Sequence, residues 1–175
     1  MSSAEIPQFL RKDPTERVTE RKWEVLRCVA NGMQTQQIAE HLGITYHTVE
    51  GHLEQICAGA TLYSGARRCA VLTPLMVEGV ETDRIVVDGI PDNLKFSRRQ
   101  QEVIGLMLNG HRVPGVADAL GIAPSSVDLH FTNIYKKLRA KNYYHAVAKM
   151  VSYRLSVGQL NQEPDPCPQL IEASR

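Results

Sequence analysis

VADALGIAPSSVDLH, residues 116–130, has the hydrophobic pattern of a short helix, a tight turn and a second helix. The same pattern occurs 78 positions earlier as IAEHLGITYHTVEGH, residues 38–52. When residues 18–57 are laid over residues 96–135 without a gap, the two segments agree in residue type nearly throughout. The chain therefore contains an internal duplication, which defines two domains. Identical pairs include Arg21/Arg99, Glu24/Glu102, Asn31/Asn109, Gly32/Gly110, Leu42/Leu120, Gly43/Gly121, Val49/Val127, His52/His130 and Ile56/Ile134.

Each copy predicts three helices in the same order. In the first copy they run from about Thr19 to Ala30, from Gln36 to Leu42, and onward from about Tyr46, with Thr45 as a candidate N-cap. In the second copy Ser97 and Gln100 have the spacing of a capping box at the start of the first helix. The other two helices of that copy are predicted over Pro114 to Leu120 and from about Pro124, which suits the first helical position.

The third helix of each copy has one apolar stripe and one polar face. The stripe is predicted to be buried and consists of Val49, Leu53, Ile56 and Ala60, or Val127, Phe131, Ile134 and Leu138. The opposite face carries Tyr46, His47, Glu50, Gly51, Glu54 and Gln55, or Ser125, Asp128, Leu129, Thr132, Asn133, Lys136 and Lys137. Two short helices joined by a Gly-containing turn, with the second one exposed, have the geometry that enters a DNA major groove.

Both copies resemble the LuxR-type (GerE-like, NarL/FixJ-type) helix-turn-helix domain. In the first copy the matching residues are Thr19, Glu24, Val25, Leu26, Gly32, Ile38, Ala39, Leu42, Gly43, Ile44, Thr48, Val49, His52 and Leu53. In the second copy they are Ser97, Glu102, Val103, Ile104, Gly110, Val116, Ala117, Leu120, Gly121, Ile122, Ser126, Val127, His130 and Phe131, followed by Lys137, Leu138, Ala146 and Val147.

The resemblance implies a bacterial or phage transcriptional regulator, either activator or repressor, that binds double-stranded DNA. It places base and phosphate contacts on the exposed third-helix residues, including Thr48 and Ser126, and above all just after the Thr-Val pair. Those positions are Glu50, Gly51 and Glu54, or Asp128, Leu129 and Thr132. This chain departs from the family there, since a positive or polar residue is common in its members. A carboxylate repels phosphate, although it can accept a hydrogen bond from cytosine N4.

Charge separates the two copies although the whole chain is close to neutral at +1. Residues 95–157 contain ten basic and three acidic residues, while the preceding residues 78–94 contain one and five. We predict that the second copy binds DNA, with backbone contacts from Arg112, Lys136, Lys137, Arg139 and Lys141. The first copy has no Lys or Arg between Met33 and Arg67. It either reads bases with few phosphate contacts or is retained for packing or for a protein partner.

A fourth apolar segment follows each third helix, at residues 69–80 and 145–158. In the family this helix often forms the dimer contact, so the fourth segments of the two copies could pack against each other. Pro74 is expected to shorten the first segment. We predict a monomer with an intramolecular pseudo-dimer, or a weak homodimer, on an asymmetric or direct-repeat site. Between the copies, the apolar residues around Ile85 to Val87 lie between turn-like residues and predict a short strand or an extended tether.

The predicted fold is all-α, with two tandem four-helix LuxR-type helix-turn-helix domains joined by a linker. We assign residues 1–17 to an N-terminal tail, 18–78 and 95–157 to the domains, 79–94 to an acidic linker, and 158–175 to a Pro-rich polar tail. The N-terminus contains no apolar run long enough for a signal sequence or membrane span, which favours a cytoplasmic protein. The four cysteines lack metal-ligand spacing and are interpreted as reduced thiols, with Cys28, Cys57 and Cys69 as core residues and Cys167 in the tail.

No catalytic constellation, cofactor motif or metal site is predicted. His47 and His52 lie five residues apart on a helix and point about 140° apart, so they cannot share a metal. His52 and His130 are expected to be hydrogen-bonded structural histidines, and Glu24 and Glu102 to be buried acids paired with arginine or a backbone amide. Trp23, Tyr143 and Tyr144 are expected to pack rather than to contact phosphate or stack on bases.

The rival hypothesis is a protein-interaction module. In that interpretation the acidic linker and the first recognition face, which lacks Lys and Arg, contact RNA polymerase, a sigma factor or another regulator, with little or no base reading. RNA binding is less favoured, because the sequence lacks the surface aromatics that usually stack on bases.

Overall fold

The computed structural model describes residues 18–57 and 65–158, without the side chains of 65–70. Within these ranges the fold consists of eight α-helices and contains no β-strand, which confirms the all-α prediction and the tandem helical arrangement. The helices are α1 (Glu20–Ala30), α2 (Thr35–Leu42), α3 (Tyr46–Cys57), α4 (Gly65–Glu81), α5 (Arg98–Leu108), α6 (Val113–Leu120), α7 (Pro124–Leu138) and α8 (Tyr143–Ser156). Each helix of the second unit begins 78 residues after its counterpart in the first.

Local capping explains where several helices begin and end. The predicted capping box of α5 is present, with the Ser97 hydroxyl accepting from the Gln100 amide and the Gln100 side chain accepting from the Ser97 amide. The Thr45 side chain accepts from the amide of Thr48 at the start of α3, as expected for an N-cap. Gly43 and Gly121 end α2 and α6 in the left-handed conformation, in which glycine is favoured.

The buried stripe of the third helix holds each unit together. Val127, Phe131, Ile134 and Leu138 are all buried, as predicted, and in the first unit Val49 and Leu53 are buried while Ile56 is half-buried. Ala60, also predicted for this stripe, lies outside the described residues. Both stripes contribute to one hydrophobic core that includes residues from both units.

An arginine bridge ties the first helix of each unit to the end of the second. In the second unit Arg99 donates from Nη1 to Glu102 Oε2 (2.6 Å) and from Nη2 to the Leu120 carbonyl (3.0 Å). In the first unit Arg21 makes the same contacts with Glu24 and with the Leu42 carbonyl. The prediction of arginine-paired acids is therefore correct, but both carboxylates are about one third exposed rather than buried.

Helix α4 differs from the prediction. It spans 17 residues with Pro74 in its interior, so the expected shortening at Pro74 was wrong. Pro74 is exposed, while Leu72, Leu75 and Met76 are buried. The apolar face that these residues form packs against α8 of the second unit, and packing of this kind overrides the low helix propensity of proline.

The segment between the units is extended but is not a free tether. Ile85 and Val87 are buried while Val86 is 67% exposed, the alternation of an extended chain, yet no strand pairs with it within the described part of the protein. Arg27 Nε donates to the Arg84 carbonyl (2.7 Å), and the Asn31 side chain donates from Nδ2 to the Val86 carbonyl (3.1 Å). The start of the segment is therefore attached to α1.

Candidate nucleic-acid interface

Helix α7 presents the candidate recognition face of the second unit. Pro124 occupies its first turn, as predicted, and the buried stripe fixes the orientation of the helix against α5, α6 and α8. The side chains left on the outside include Asp128 and Leu129, and Leu129 is 61% exposed. Leu129 is thus an apolar side chain exposed among polar neighbours on this face.

The structure brings most of the predicted second-unit residues to the surface. Ser126 and Asn133 are half-buried. The exposed residues are Arg112, Ser125, Asp128, Leu129, Thr132, Lys136, Lys137, Arg139 and Lys141. The exposed lysines Lys136 and Lys137 belong to the last turn of α7, where cations also interact favourably with the helix dipole.

Lys136 and Lys137 differ in what their ammonium groups contact. Lys137 Nζ donates to the Lys95 carbonyl (2.7 Å) and to Gln100 Oε1 (2.8 Å), and lies 5.3 Å from the centre of the Phe96 ring. Lys136 has no hydrogen bond or ion pair with any described residue. Of this adjacent pair, Lys137 thus stabilises the start of α5, while Lys136 projects its charge into solvent.

The remaining predicted cations lie at helix ends. Arg112 is the N-cap of α6, and its guanidinium lies 5.2 Å from the centre of the Tyr143 ring. Tyr143 is itself buried, as expected for a packing residue, and donates its hydroxyl to the Met107 carbonyl (2.6 Å). Arg139 is the left-handed C-cap of α7, and Lys141 follows it.

The corresponding face of the first unit lies on α3. Its predicted residues Tyr46, His47, Thr48, Glu54 and Gln55 are exposed, while Glu50 and Gly51 are half-buried. The Thr35 hydroxyl at the start of α2 donates to Glu50 Oε1 (2.9 Å), so this carboxylate is used within the unit. Glu54 and Gln55 have no such contact within the described residues and remain available on the outer face.

Sequence reasoning missed Lys149, a buried lysine on α8 at 4% exposure. Its Nζ donates to the carbonyls of Gly89 (3.0 Å), Leu138 (3.2 Å) and Arg139 (3.2 Å). Burial, together with the charges of Arg139 and Lys141, lowers the pKa of Lys149 below its ordinary value. This side chain fastens the inter-unit segment to the end of α7, and a lysine in the apolar run AVAKMV was the sequence signal for it.

His145 lies one turn earlier on α8, against the first unit. Its Nδ1 accepts from the Lys141 amide (3.2 Å). A Cβ added at Gly32, which has φ of +78°, would come within 2.8 Å of this same Nδ1. Burial, with smaller contributions from the charges of Lys149 and Lys141, lowers the pKa of His145 to about 4. The imidazole is therefore neutral where the two units meet.

The structure also bears on the predictions for His52 and for the cysteines. His52 was expected to be hydrogen-bonded, but its buried Nδ1 has no hydrogen-bond partner among the described residues. Cys28 is buried and burial raises its thiol pKa, and Cys57 is half-buried; both are outside any disulfide. Cys167 and the Cys69 side chain lie outside what the structure describes.

Within residues 18–57 and 65–158, no helix combines the length and the apolar character needed to cross a membrane. No cluster of three or more His, Cys, Asp or Glu side chains in these ranges could hold a metal ion.

Comparison with known proteins agrees with the duplicated helix-turn-helix. Residues 16–58 and 94–150 each match the family model described as bacterial regulatory proteins, luxR family. Two curated relatives, each named probable transcriptional regulatory protein NarL, come from Mycobacterium tuberculosis strains CDC 1551 / Oshkosh and ATCC 25618 / H37Rv. Both are 32% identical over 85 residues, which is 49% of this chain but only 39% of the relative. No solved structure matches the chain significantly.

Proposed function

The chain belongs to the luxR family of bacterial regulatory proteins, and on that premise we propose that it is a transcriptional regulator that binds double-stranded DNA sequence-specifically. In this proposal α3 and α7 are two non-identical recognition helices that read one asymmetric site. A single unit makes few contacts, whereas linking two units raises the effective concentration of the second to about millimolar.

The observation that carries the proposal is the surface of α7. Its outer face exposes Asp128, Leu129 and Thr132, and the exposed cations Lys136, Arg139 and Lys141 follow along the chain. Cations beside a recognition helix supply the sequence-independent attraction to phosphate that provides most of the affinity for DNA. In this arrangement Asp128, Leu129 and Thr132 contact base edges while the cations contact phosphate.

The chemistry of the α7 face suggests which bases it contacts. The Asp128 carboxylate can accept from cytosine N4, and the Leu129 side chain can pack on a thymine methyl group. Asp128 has no hydrogen bond or ion pair with other described residues, so no internal contact must break first. Thr132 can donate to or accept from either base pair type.

For the first unit, the charge pattern supports a second candidate function. No Lys or Arg lies between Met33 and Arg67, and the exposed Glu54 would repel phosphate. A face of this kind also suits a protein partner such as RNA polymerase or another regulator. If it does read DNA, Gln55 and Glu54 supply base contacts while the second unit supplies the attraction to the backbone.

The test is selection of bound sequences from a random duplex pool by the purified full chain and by Lys136→Glu and Glu54→Ala. Enrichment by the full chain that is lost in Lys136→Glu supports the proposed function. A two-part motif that changes in one half with Glu54→Ala supports base reading by both units. A single motif that Glu54→Ala does not alter assigns the first unit to the protein-partner function. No enrichment overturns DNA binding as the function of the chain.

A further inference from the structure

The two units pack through equivalent surfaces. Helix α4 of the first unit lies against α8 of the second, and these are the same helix in the two repeats. Helix α1 also packs on α8, and α5 also packs on α4. These two contacts are equivalent, because α1 corresponds to α5 and α8 corresponds to α4. Reciprocal contacts of this kind define an isologous interface, which a two-fold axis produces. A translation would instead pair one surface with a different one.

Residues near the predicted axis agree with this symmetry. A cleft of about 480 Å³ opens between the units and is lined by residues of both. Its lining includes Gln34, the N-cap of α2, and Arg112, the N-cap of α6, which are equivalent positions 78 residues apart. Equivalent residues from two units can line the same small cleft when the axis that relates the units passes close to it.

The relative orientation of the units is also held by contacts along the connecting segment. Arg27 and Asn31 of α1 hold residues 84–86, Lys149 holds Gly89, and the Tyr153 hydroxyl donates to the Leu94 carbonyl (3.2 Å). The segment is thus bound to the first unit at its start and to the second unit at its end. The arrangement around the α4–α8 contact is therefore built into a single chain.

We propose that one copy of this chain binds an imperfect inverted repeat, with two unlike half-sites in opposite orientations. The inference rests on the proposed function. A DNA duplex has local two-fold axes perpendicular to its length, so recognition helices related by a two-fold axis read half-sites on opposite strands. The sequence allowed a direct repeat, but the reciprocal packing favours the inverted order. The two half-sites differ because equivalent positions of α3 and α7 carry different residues, such as Glu54 and Thr132. The site is therefore asymmetric in sequence.

The half-sites are expected about 10 bp apart, centre to centre, or at a multiple of that spacing. The experiment begins with the sequences selected by the full chain. Duplexes are then made with the halves in the selected order, and with one half reversed so that an inverted repeat becomes direct. Affinity is measured for each duplex, and native mass spectrometry counts the chains per duplex. Glu54→Ala and Thr132→Ala, at equivalent positions, assign each half to one unit.

The expected result is an inverted motif with unlike halves, one chain per duplex, at least a tenfold loss of affinity on reversing one half, and one half altered by each substitution. A direct repeat, a single half-site, two chains on a symmetric palindrome, or any other pattern of altered halves overturns the inference while DNA binding stands. Absence of any selected sequence removes the proposed function, and the inference with it.

Discussion

Lys136 and Lys137 are neighbours with the same charge, and the structure predicts that only one of them contacts phosphate. We consider the substitutions Lys136→Gln and Lys137→Gln, which remove one positive charge each at adjacent positions of α7. Lys136 projects from the helix with no described partner, whereas the Lys137 ammonium is bound to the Lys95 carbonyl and to Gln100. Each substitution therefore acts as the matched control for the other.

The expected magnitude follows from counterion release. Each phosphate contact contributes about −0.9 to the slope of log affinity against log salt concentration. Suppose that Lys136 makes one such contact. The affinity of the unsubstituted chain divided by that of Lys136→Gln then falls about 3.5-fold between 50 and 200 mM salt, because a fourfold rise in salt raised to the power of about 0.9 is about 3.5. The ratio for Lys137→Gln should stay constant over the same range. Lys137→Gln should instead lower the free energy of unfolding by about 1 kcal/mol, since it removes hydrogen bonds from a charged donor.

The assay is fluorescence anisotropy with a labelled duplex at 50, 100 and 200 mM salt, together with thermal unfolding of each variant. A duplex of mixed sequence is sufficient, because this part of the affinity does not depend on base identity. Equal changes of slope in the two variants would mean that both changes act through overall charge, and the assignment of Lys136 to a phosphate would fail. A slope change in Lys137→Gln alone would reverse the assignment.

Three further predictions concern the meeting of the units and base reading. Gly32→Ala should cost at least about 1 kcal/mol more unfolding free energy than Gly43→Ala in denaturant melts. Both glycines have left-handed φ, but only at Gly32 would a Cβ meet His145, so similar costs would exclude a tight approach there. The pKa of His145 is lowered to about 4, so as pH falls this imidazole is protonated in the unfolded chain before it is protonated in the folded one. The free energy of unfolding should therefore drop by about 2 kcal/mol from pH 7 to pH 5. The drop should be smaller in His145→Gln. Identical pH profiles for the unsubstituted chain and His145→Gln would show that His145 is not the cause of the drop. Leu129→Ala should weaken binding severalfold to a selected site, and replacing the contacted thymine by deoxyuridine, which lacks the methyl group, should have no further effect in this variant; an additional loss would show that another residue contacts that methyl.

Much of the local structure was predictable because its causes lie within a few residues of the chain. The capping box at Ser97 and Gln100, the first-turn Pro124 and the stripe from Val127 to Leu138 all depend on spacing alone. The exposure of most candidate recognition residues was also predictable, since they lie opposite that stripe. Pro74 misled the prediction because packing of α4 on α8, a contact remote in sequence, outweighs local propensity.

Side-chain partners were less predictable than positions. The sequence gives no reason to separate Lys136 from Lys137, or Glu50 from Glu54, because in each pair both residues fall on the outer side of a helix. Only the folded chain brings Lys95 and Gln100 to Lys137, and Thr35 to Glu50. Each of these contacts removes a charged group from the set available to a partner.

The duplicated sequence by itself determined that this protein is built from two helical units with one recognition helix each, since periodicity and caps act over a few residues. It also determined which unit is basic, because charge is a property of composition. Only the tertiary structure decided how the units face each other, through α4 on α8 and the attachment of the connecting segment by Lys149. That orientation depends on complementary surfaces distant in sequence, and a repeat of 78 residues is compatible with either a translation or a two-fold axis until those surfaces meet.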